Sequence, residues 1–220
     1  MLTSYSKLTY STLLIFLKAP HIGKVKTRLA QSIGPDLALQ IYQSMVKRQL
    51  SEFFRSDPIE IHFSPADAGV EMRSWLGDDH AFYPQCDGGL GSRLEQAVVD
   101  AFARGAKSVI CIGGDCPRLN RAHLKEAETC LKSDYDCVFG PSDDGGYYLI
   151  GLNSPQVELF RDIPWSTDET LKVSLSKSYT LGLRVKLLET LYDVDELSEL
   201  DRAVKENLLH IKQFRQEEKR

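Results

Sequence analysis

Six short strand-length runs rich in apolar residues, separated by amphipathic stretches, constrain the fold more than any other feature. They cover residues 12–17, 59–63, 108–112, 136–139, 147–151 and 184–188. A strand that is apolar at successive positions, rather than at every second one, is buried on both faces. That is the habit of parallel sheets covered by helices on either side. Between the runs, residues 36–55 carry apolar side chains at helical spacing through Leu37, Ile41, Met45 and Phe53. The same spacing recurs over 94–103 (Leu94, Ala97, Val98, Ala101) and 121–132 (Leu124, Ala127, Leu131). Further helices are expected over 167–181 and 196–209. The pattern predicts an α/β protein with three layers, α/β/α, around a mostly parallel central sheet.

The chain of 220 residues is long enough for one well-buried core. A single domain over 1–220 is expected, with its core at about 12–209 and flexible ends at 1–10 and 212–220. The 27 basic and 31 acidic residues leave a net charge of −4, which does not attract polyanions, so no nucleic-acid partner is expected. No segment approaches the roughly 20 apolar residues of a membrane span, and residues 13–17 are too short a run for a signal peptide. The five cysteines are odd in number and lack a C-x-x-C pair or zinc-ligand spacing; they read as reduced thiols of a cytoplasmic protein. Oligomeric state is left open.

In open parallel sheets, ligands bind beyond the carboxyl ends of the strands, and four motifs sit where strands end. After the first strand, Lys18, Lys26 and Arg28 place three cations within eleven residues. Pro20 and Gly23 bend the intervening backbone and Thr27 begins a helix, a combination suited to phosphate. Solvated surface charges are the plainer alternative. After residues 108–112 comes Gly113-Gly114-Asp115-Cys116-Pro117. Gly114 permits a close ligand, and Asp115 reads either as an oxygen ligand for a divalent cation or as a cap of the next helix. The third motif is Ser142-Asp143-Asp144-Gly145-Gly146-Tyr147. Asp144, or less favourably Asp143, is placed to hold a hydroxyl or take its proton, with Gly145 and Gly146 leaving room for substrate; a plain turn is the alternative. The fourth is Asp193-Val194-Asp195, where either acid can join Asp115 on a metal or cap the following helix. Weaker features are Trp165 and Ser166, a wall for substrate, and Arg93 behind the Gly88–Gly91 turn, a further phosphate contact. Cys116, next to Pro117 and with no histidine in its motif, is not expected to be a nucleophile.

Four of these segments together resemble a bacterial family of glycosyltransferase-A-like proteins, the nucleotide-diphospho-sugar transferases. They are Lys18-x-Pro20-x-x-Gly23-x-x-Lys26-Thr27-Arg28-Leu29, Gly114-Asp115-Cys116-Pro117, Asp144 through Leu152, and Pro164-Trp165-Ser166-Thr167. The resemblance spans about residues 12–200. It implies the nucleotide-diphospho-sugar transferase fold and a divalent cation, Mg²⁺ or Mn²⁺. By motif, Lys18, Lys26 and Arg28 correspond to nucleotide or phosphate contacts, Asp115 to the metal-binding acid and Asp195 to a second ligand. The chain departs from the family at Glu196-Leu197, where Thr-Pro is common, and at Gly89, where Asp is usual.

The expectation is a metal-dependent transferase using a nucleotide-activated donor, a nucleoside diphosphate sugar, with an unidentified acceptor. Asp115 and Asp144 are the expected catalytic residues. Two alternatives stand beside it: a nucleotidyltransferase that joins a nucleoside triphosphate to a phosphorylated acceptor and releases pyrophosphate, and a nucleotide-binding protein without turnover.

Overall fold

The computed structural model describes residues 8–53 and 57–210. Seven strands form one sheet: β1 (Ser11–Lys18), β2 (Ile59–Ser64), β3 (Ala81–Pro84), β4 (Ser108–Gly113), β5 (Cys137–Pro141), β6 (Tyr147–Leu152) and β7 (Val185–Leu187). Their order is β3-β2-β1-β4-β6-β5-β7. All pairings are parallel except those of β6, which runs antiparallel to both β4 and β5. Seven helices accompany the described strands: α1 (Thr27–Ile33), α2 (Pro35–Ser51), α3 (Gly69–Leu76), α4 (Leu90–Ala103), α5 (Arg121–Lys132), α6 (Thr170–Thr180) and α7 (Leu197–Lys205).

The apolar runs become buried strands for the expected reason, except the last, whose β7 buries none of its three residues. Along β1, Leu13, Ile15 and Leu17 point into one core with Tyr42 and Val46 of α2, Met72 of α3 and Leu124 and Leu131 of α5. Leu14 points to the opposite core, with Phe16 packed against it, beside Leu94 and Val98 of α4 and the short turn Leu159–Phe160. Each face of the strand thus has its own helical layer, and the fold is the three-layered α/β class. A third cluster joins Leu29 of α1, Ile41 and Met45 of α2, and Leu200 and Ala203 of α7, fastening the chain's late segment beside its first loop. Each such fully buried aliphatic side chain contributes roughly 1.5–3 kcal/mol over exposure.

Two elements escape the apolar pattern. Helix α3 buries only Met72 among its eight residues, and β3 buries only Phe82 among four. Helix α4 begins at Leu90, four residues before the expected start, through the stretch read as a flexible turn. Gly91 lets it do so: a Cβ there would lie 2.3 Å from the Phe160 carbonyl oxygen and 2.6 Å from Trp165 Nε1. Strand β5 runs on through Gly140 and Pro141, at an irregularity in its pairing with β6. Of the ends expected to be flexible, residues 1–7 and 212–220 lie outside the described residues. Leu8 is buried, and the backbone N–H groups of Thr9, Tyr10 and Ser11 all donate to Glu128 Oε1. Among the described residues no helix is long and apolar enough to cross a membrane.

The topology locates the site. From β1 the chain steps outward through β2 and β3, then returns to place β4 on β1's other side. The crevice at the carboxyl ends of β1 and β4 is the switch point at which such sheets bind ligands. Because β6 is antiparallel, the turn entering it, Asp144–Gly146, also falls on that edge.

Candidate active site

A cavity of about 520 Å³ opens at this edge, within the range of small-molecule sites. Lys18 enters it at the end of β1, and Gly113, Gly114 and Asp115 at the end of β4. Lys26, Thr27 and Arg28 come from the start of α1, and Arg93 from the first turn of α4. Asp144 and Gly146 come from the turn into β6, Trp165 and Ser166 from the loop before α6, and Asp193 and Asp195 from the segment after β7.

Local chemistry explains these placements. Gly114 is packed so closely that a Cβ would lie 2.7 Å from Leu17 Cδ2, letting Asp115 emerge directly beside β1. The Asp115 carbonyl accepts from the Val194 N–H at 3.0 Å, which docks the 193–195 segment against the exit of β4. Neither acid caps a helix: Asn120 caps α5, and at the start of α7 the Glu196 N–H donates to Glu199 at 2.8 Å. Tyr42 fixes the end of β1 by accepting from the Lys18 N–H at 3.0 Å and donating to the Lys18 carbonyl at 2.8 Å.

The centre of the site is an ion triad. Lys26 Nζ lies 2.6 Å from Asp115 Oδ1 and 2.9 Å from Asp195 Oδ1. The lysine side chain is 4% exposed and the carboxylates 45% and 46%, so the ammonium sits beneath acids that face the cavity. Burial opposes the charge on Lys26, but Asp115 and Asp195 outweigh it and hold its pKa above the usual lysine value. Burial likewise opposes the Asp195 carboxylate, and Lys26, Arg28 and Lys18 overcome it to hold that pKa below the ordinary range. Asp193 differs: burial, reinforced by Asp115, pushes its carboxyl up to about 7, and its Oδ2 accepts from Ser142 Oγ at 2.9 Å. Asp195, rather than Asp193, therefore shares the Lys26 cation with Asp115.

The expected phosphate contacts divide. Lys18 and Arg28 are exposed and, among the described residues, form no ion pair or side-chain hydrogen bond. Arg93 donates to the Gly88 carbonyl at 3.0 Å and, more distantly, to Gln85 Oε1 at 3.4 Å, with no carboxylate on it. These three cations line the cavity with charge to spare, whereas Lys26 is committed to the acids. Pro20 and Gly23 stay off the cavity wall; their loop turns toward α3, where His21 meets Glu71 at 2.6 Å.

The Asp143-Asp144 pair also divides. Asp144 faces the cavity and accepts from the Gly146 N–H at 2.9 Å. Asp143 turns away and pairs with Arg202 of α7 at 2.9 Å. Gly145 is off the wall too; its φ of 86° and a Cβ position 2.3 Å from the Asp168 carbonyl make it a packing requirement. Trp165 stands edge-on to Tyr147, with ring centroids 6.0 Å apart. Cys116 is buried and burial raises its thiol pKa, so no thiolate nucleophile is available there.

Among the cavity residues not read from the sequence, three bear polar groups that shape the site. Gln85 follows the unrecognised β3; its Nε2 donates to the His62 carbonyl at 2.8 Å while its Oε1 receives Arg93. Tyr42 lies on the buried face of a helix and looks like core. Thr170 hides within a helical pattern; its hydroxyl bonds back to the 164–167 loop.

Residues 53–167 match the bacterial family described as "uncharacterized protein conserved in bacteria (DUF2064)". The chain belongs to this family. Among solved structures it is similar to a "putative nucleotide-diphospho-sugar transferase" from Desulfovibrio desulfuricans G20, at 34% identity over 86% of this chain and 84% of that one, with a TM-score of 0.81. Two more distant likenesses concern the fold alone. One is an inositol-1-phosphate CTP transferase from T. maritima, with 14% identity, coverage of 93% and 97%, and a TM-score of 0.57. The other is a CMP:2-keto-3-deoxy-manno-octonic acid synthetase complexed with CTP, with 11% identity, coverage of 91% and 100%, and a TM-score of 0.57. No protein of curated function matches the sequence. The chain's architecture is thus the nucleotide-diphospho-sugar transferase fold.

Proposed function

We propose that the protein is a transferase whose donor is a nucleoside diphosphate sugar, acting with Mg²⁺ or Mn²⁺ on an acceptor hydroxyl. The observation that carries this reading is the meeting of uncompensated cations with paired carboxylates in one cavity at the β1–β4 switch point. Lys18, Arg28 and Arg93 bring three positive charges that, among the described residues, no carboxylate pairs with directly, the complement of a diphosphate. The similarity to the Desulfovibrio protein supports the same substrate class.

The donor set fits a divalent ion. Among the described residues no group of three or more His, Cys, Asp or Glu side chains converges on one point. Magnesium sites with few protein ligands take one or two carboxylates and complete their shell with water and substrate phosphate. Asp115 and Asp195, both half-exposed on the cavity, would hold such an ion. Bound there, it would neutralise charge developing on the leaving nucleoside diphosphate.

The chain's own residues supply the rest. Lys18, Arg28 and Arg93 bind the diphosphate and share the leaving group's charge, an effect that helps most where water is excluded. Asp144, with its Oδ1 fixed by the Gly146 N–H, orients the acceptor hydroxyl and accepts its proton. Trp165 and Tyr147 form an apolar wall against which the transferred group packs. The five free cysteines agree with a reducing, cytoplasmic setting.

The test is a thermal-shift panel of nucleoside triphosphates and nucleoside diphosphate sugars, with and without Mn²⁺, followed by product analysis of the compounds that stabilise the protein. Stabilisation by a sugar donor and release of nucleoside diphosphate are expected. Release of pyrophosphate from a triphosphate would replace this reading with nucleotidyl transfer. Stabilisation without turnover of any acceptor would leave a binding protein.

A further inference from the structure

Asp115 and Asp195 come from opposite ends of the chain's second half and meet because Lys26 stands between them. Each gives its Oδ1 to the same ammonium, at 2.6 and 2.9 Å. Among the described residues neither Oδ2 has a partner, and both carboxylates are about half exposed on the cavity. The lysine is held from behind. It adopts a left-handed backbone at φ 47°, an unusual conformation for a long side chain, and it lies between Val25 and Leu29, both buried. The loop therefore sends this one cation inward while Lys18 and Arg28 remain outside.

Two carboxylates that share an ammonium carry a net charge of −1 rather than −2. The affinity of an oxygen site for a divalent ion follows the number of charged ligands it offers. A nearby positive charge in a partly buried setting also opposes a second cation more strongly than it would in water. We infer that Lys26 is the resident cation of the Asp115–Asp195 site, holding the two acids together in the free protein and keeping a divalent ion off them until a diphosphate adds its own oxygens and charge. This rests on the proposed function and deepens it by fixing an order, in which the metal enters with the donor rather than before it. Lys26 is then a positioning residue for the carboxylates rather than a primary phosphate contact.

The experiment is a Mn²⁺ titration, followed by electron paramagnetic resonance, of the nucleotide-free protein and its Lys26→Met and Lys26→Arg variants, with circular dichroism to confirm folding. Lys26→Met is expected to bind Mn²⁺ at least tenfold more tightly than the unaltered protein. Lys26→Arg, which keeps the charge, is expected to bind as weakly as the unaltered protein. A folded Lys26→Met that binds Mn²⁺ no more tightly than the unaltered protein overturns the inference. Should that variant not fold, the unaltered protein decides: binding weaker than about 10⁻⁴ M is expected, the range of poorly charged oxygen sites, and tighter binding without nucleotide overturns the inference. Failure of the proposed function reads out separately, as no thermal stabilisation by any nucleoside diphosphate sugar.

Discussion

The two ends of the sheet use charge in opposite ways. At the amino end, Asp57 and Arg121 form a buried pair, with Nη1 2.5 Å and Nη2 3.1 Å from the carboxylate oxygens, and Asp57 also accepts the Leu8 N–H at 2.7 Å. Nearby, Glu128 receives three backbone N–H groups from the start of β1 and pairs with Lys125. These charges are answered within the protein. At the carboxyl end, Lys26 pairs with Asp115 and Asp195, but Lys18 and Arg28 form no ion pair among the described residues, and both acids remain about half exposed on the cavity. One end uses its ion pairs to anchor the fold, while the other leaves cations and half-exposed acids facing a cavity. Charge count alone would not separate the two; burial and partner saturation do.

The largest effect should come from unbalancing the anchored end. Asp57→Ala removes the carboxylate that meets the buried Arg121 guanidinium at two nitrogens and is expected to cost about 3–5 kcal/mol in a urea titration, with nucleotide affinity of the folded fraction unchanged. A loss of affinity with full stability would reverse the assignment of the two ends. Asp115→Ala should do the opposite. Turnover is expected to fall on the order of 10²–10³-fold, as when one preorganised charge-stabilising group is removed, while stability stays within about 1 kcal/mol because the Asp115 carboxylate is half exposed and Asp195 still pairs with the buried Lys26. Steady-state kinetics beside a melting curve would show whether these effects separate.

Arg28→Ala and Lys18→Ala sharpen the comparison further. Each should weaken donor binding by about tenfold, the low end for a hydrogen bond to a charged group, and leave the melting temperature where it was. Calorimetric titration reads the first quantity and differential scanning the second. The smallest expected effect is that of Glu128→Gln, about 1 kcal/mol at neutral pH. Burial works against the Glu128 carboxylate, but Lys125 and the Thr9, Tyr10 and Ser11 N–H groups hold its pKa below the usual value. A pKa lowered on folding contributes stability above the unfolded value, about 4.3, and that contribution fades as the pH falls through the folded one. The gap between the two proteins should therefore close below about pH 4, which paired denaturation curves at pH 7 and pH 3 would test.

Most of the sheet was legible because the centres of β1, β4 and β6 are continuously apolar and buried on both faces, a property written directly in residue order. The 69–84 region was not, since α3 and β3 each bury a single side chain and lie at the sheet's edge. With β3 went Gln85, which carries no chemical signature until the fold sets it beside Arg93. At the site, position after a strand drew attention to Lys18, Arg28, Asp115, Asp144 and Asp195, all of which line one cavity. The same reasoning favoured Asp144 over Asp143 but could not supply the structural cause, which is that Arg202, 59 residues further on, claims Asp143. Nor could it tell Lys26 from its neighbours; only the left-handed turn at its backbone sends that one ammonium inward.

The central claim is that unanswered cations and paired acids form one receptor for a nucleotide-activated diphosphate. Isothermal titration of a nucleoside diphosphate sugar, selected by its thermal shift, into the unaltered protein and into the Lys18→Ala/Arg28→Ala double variant tests it most directly. The account predicts saturable binding at one site in the unaltered protein, weakened by about 100-fold in the double variant if the two contacts add. Equal affinity in both proteins, or no binding to the unaltered protein by any such donor, would contradict it.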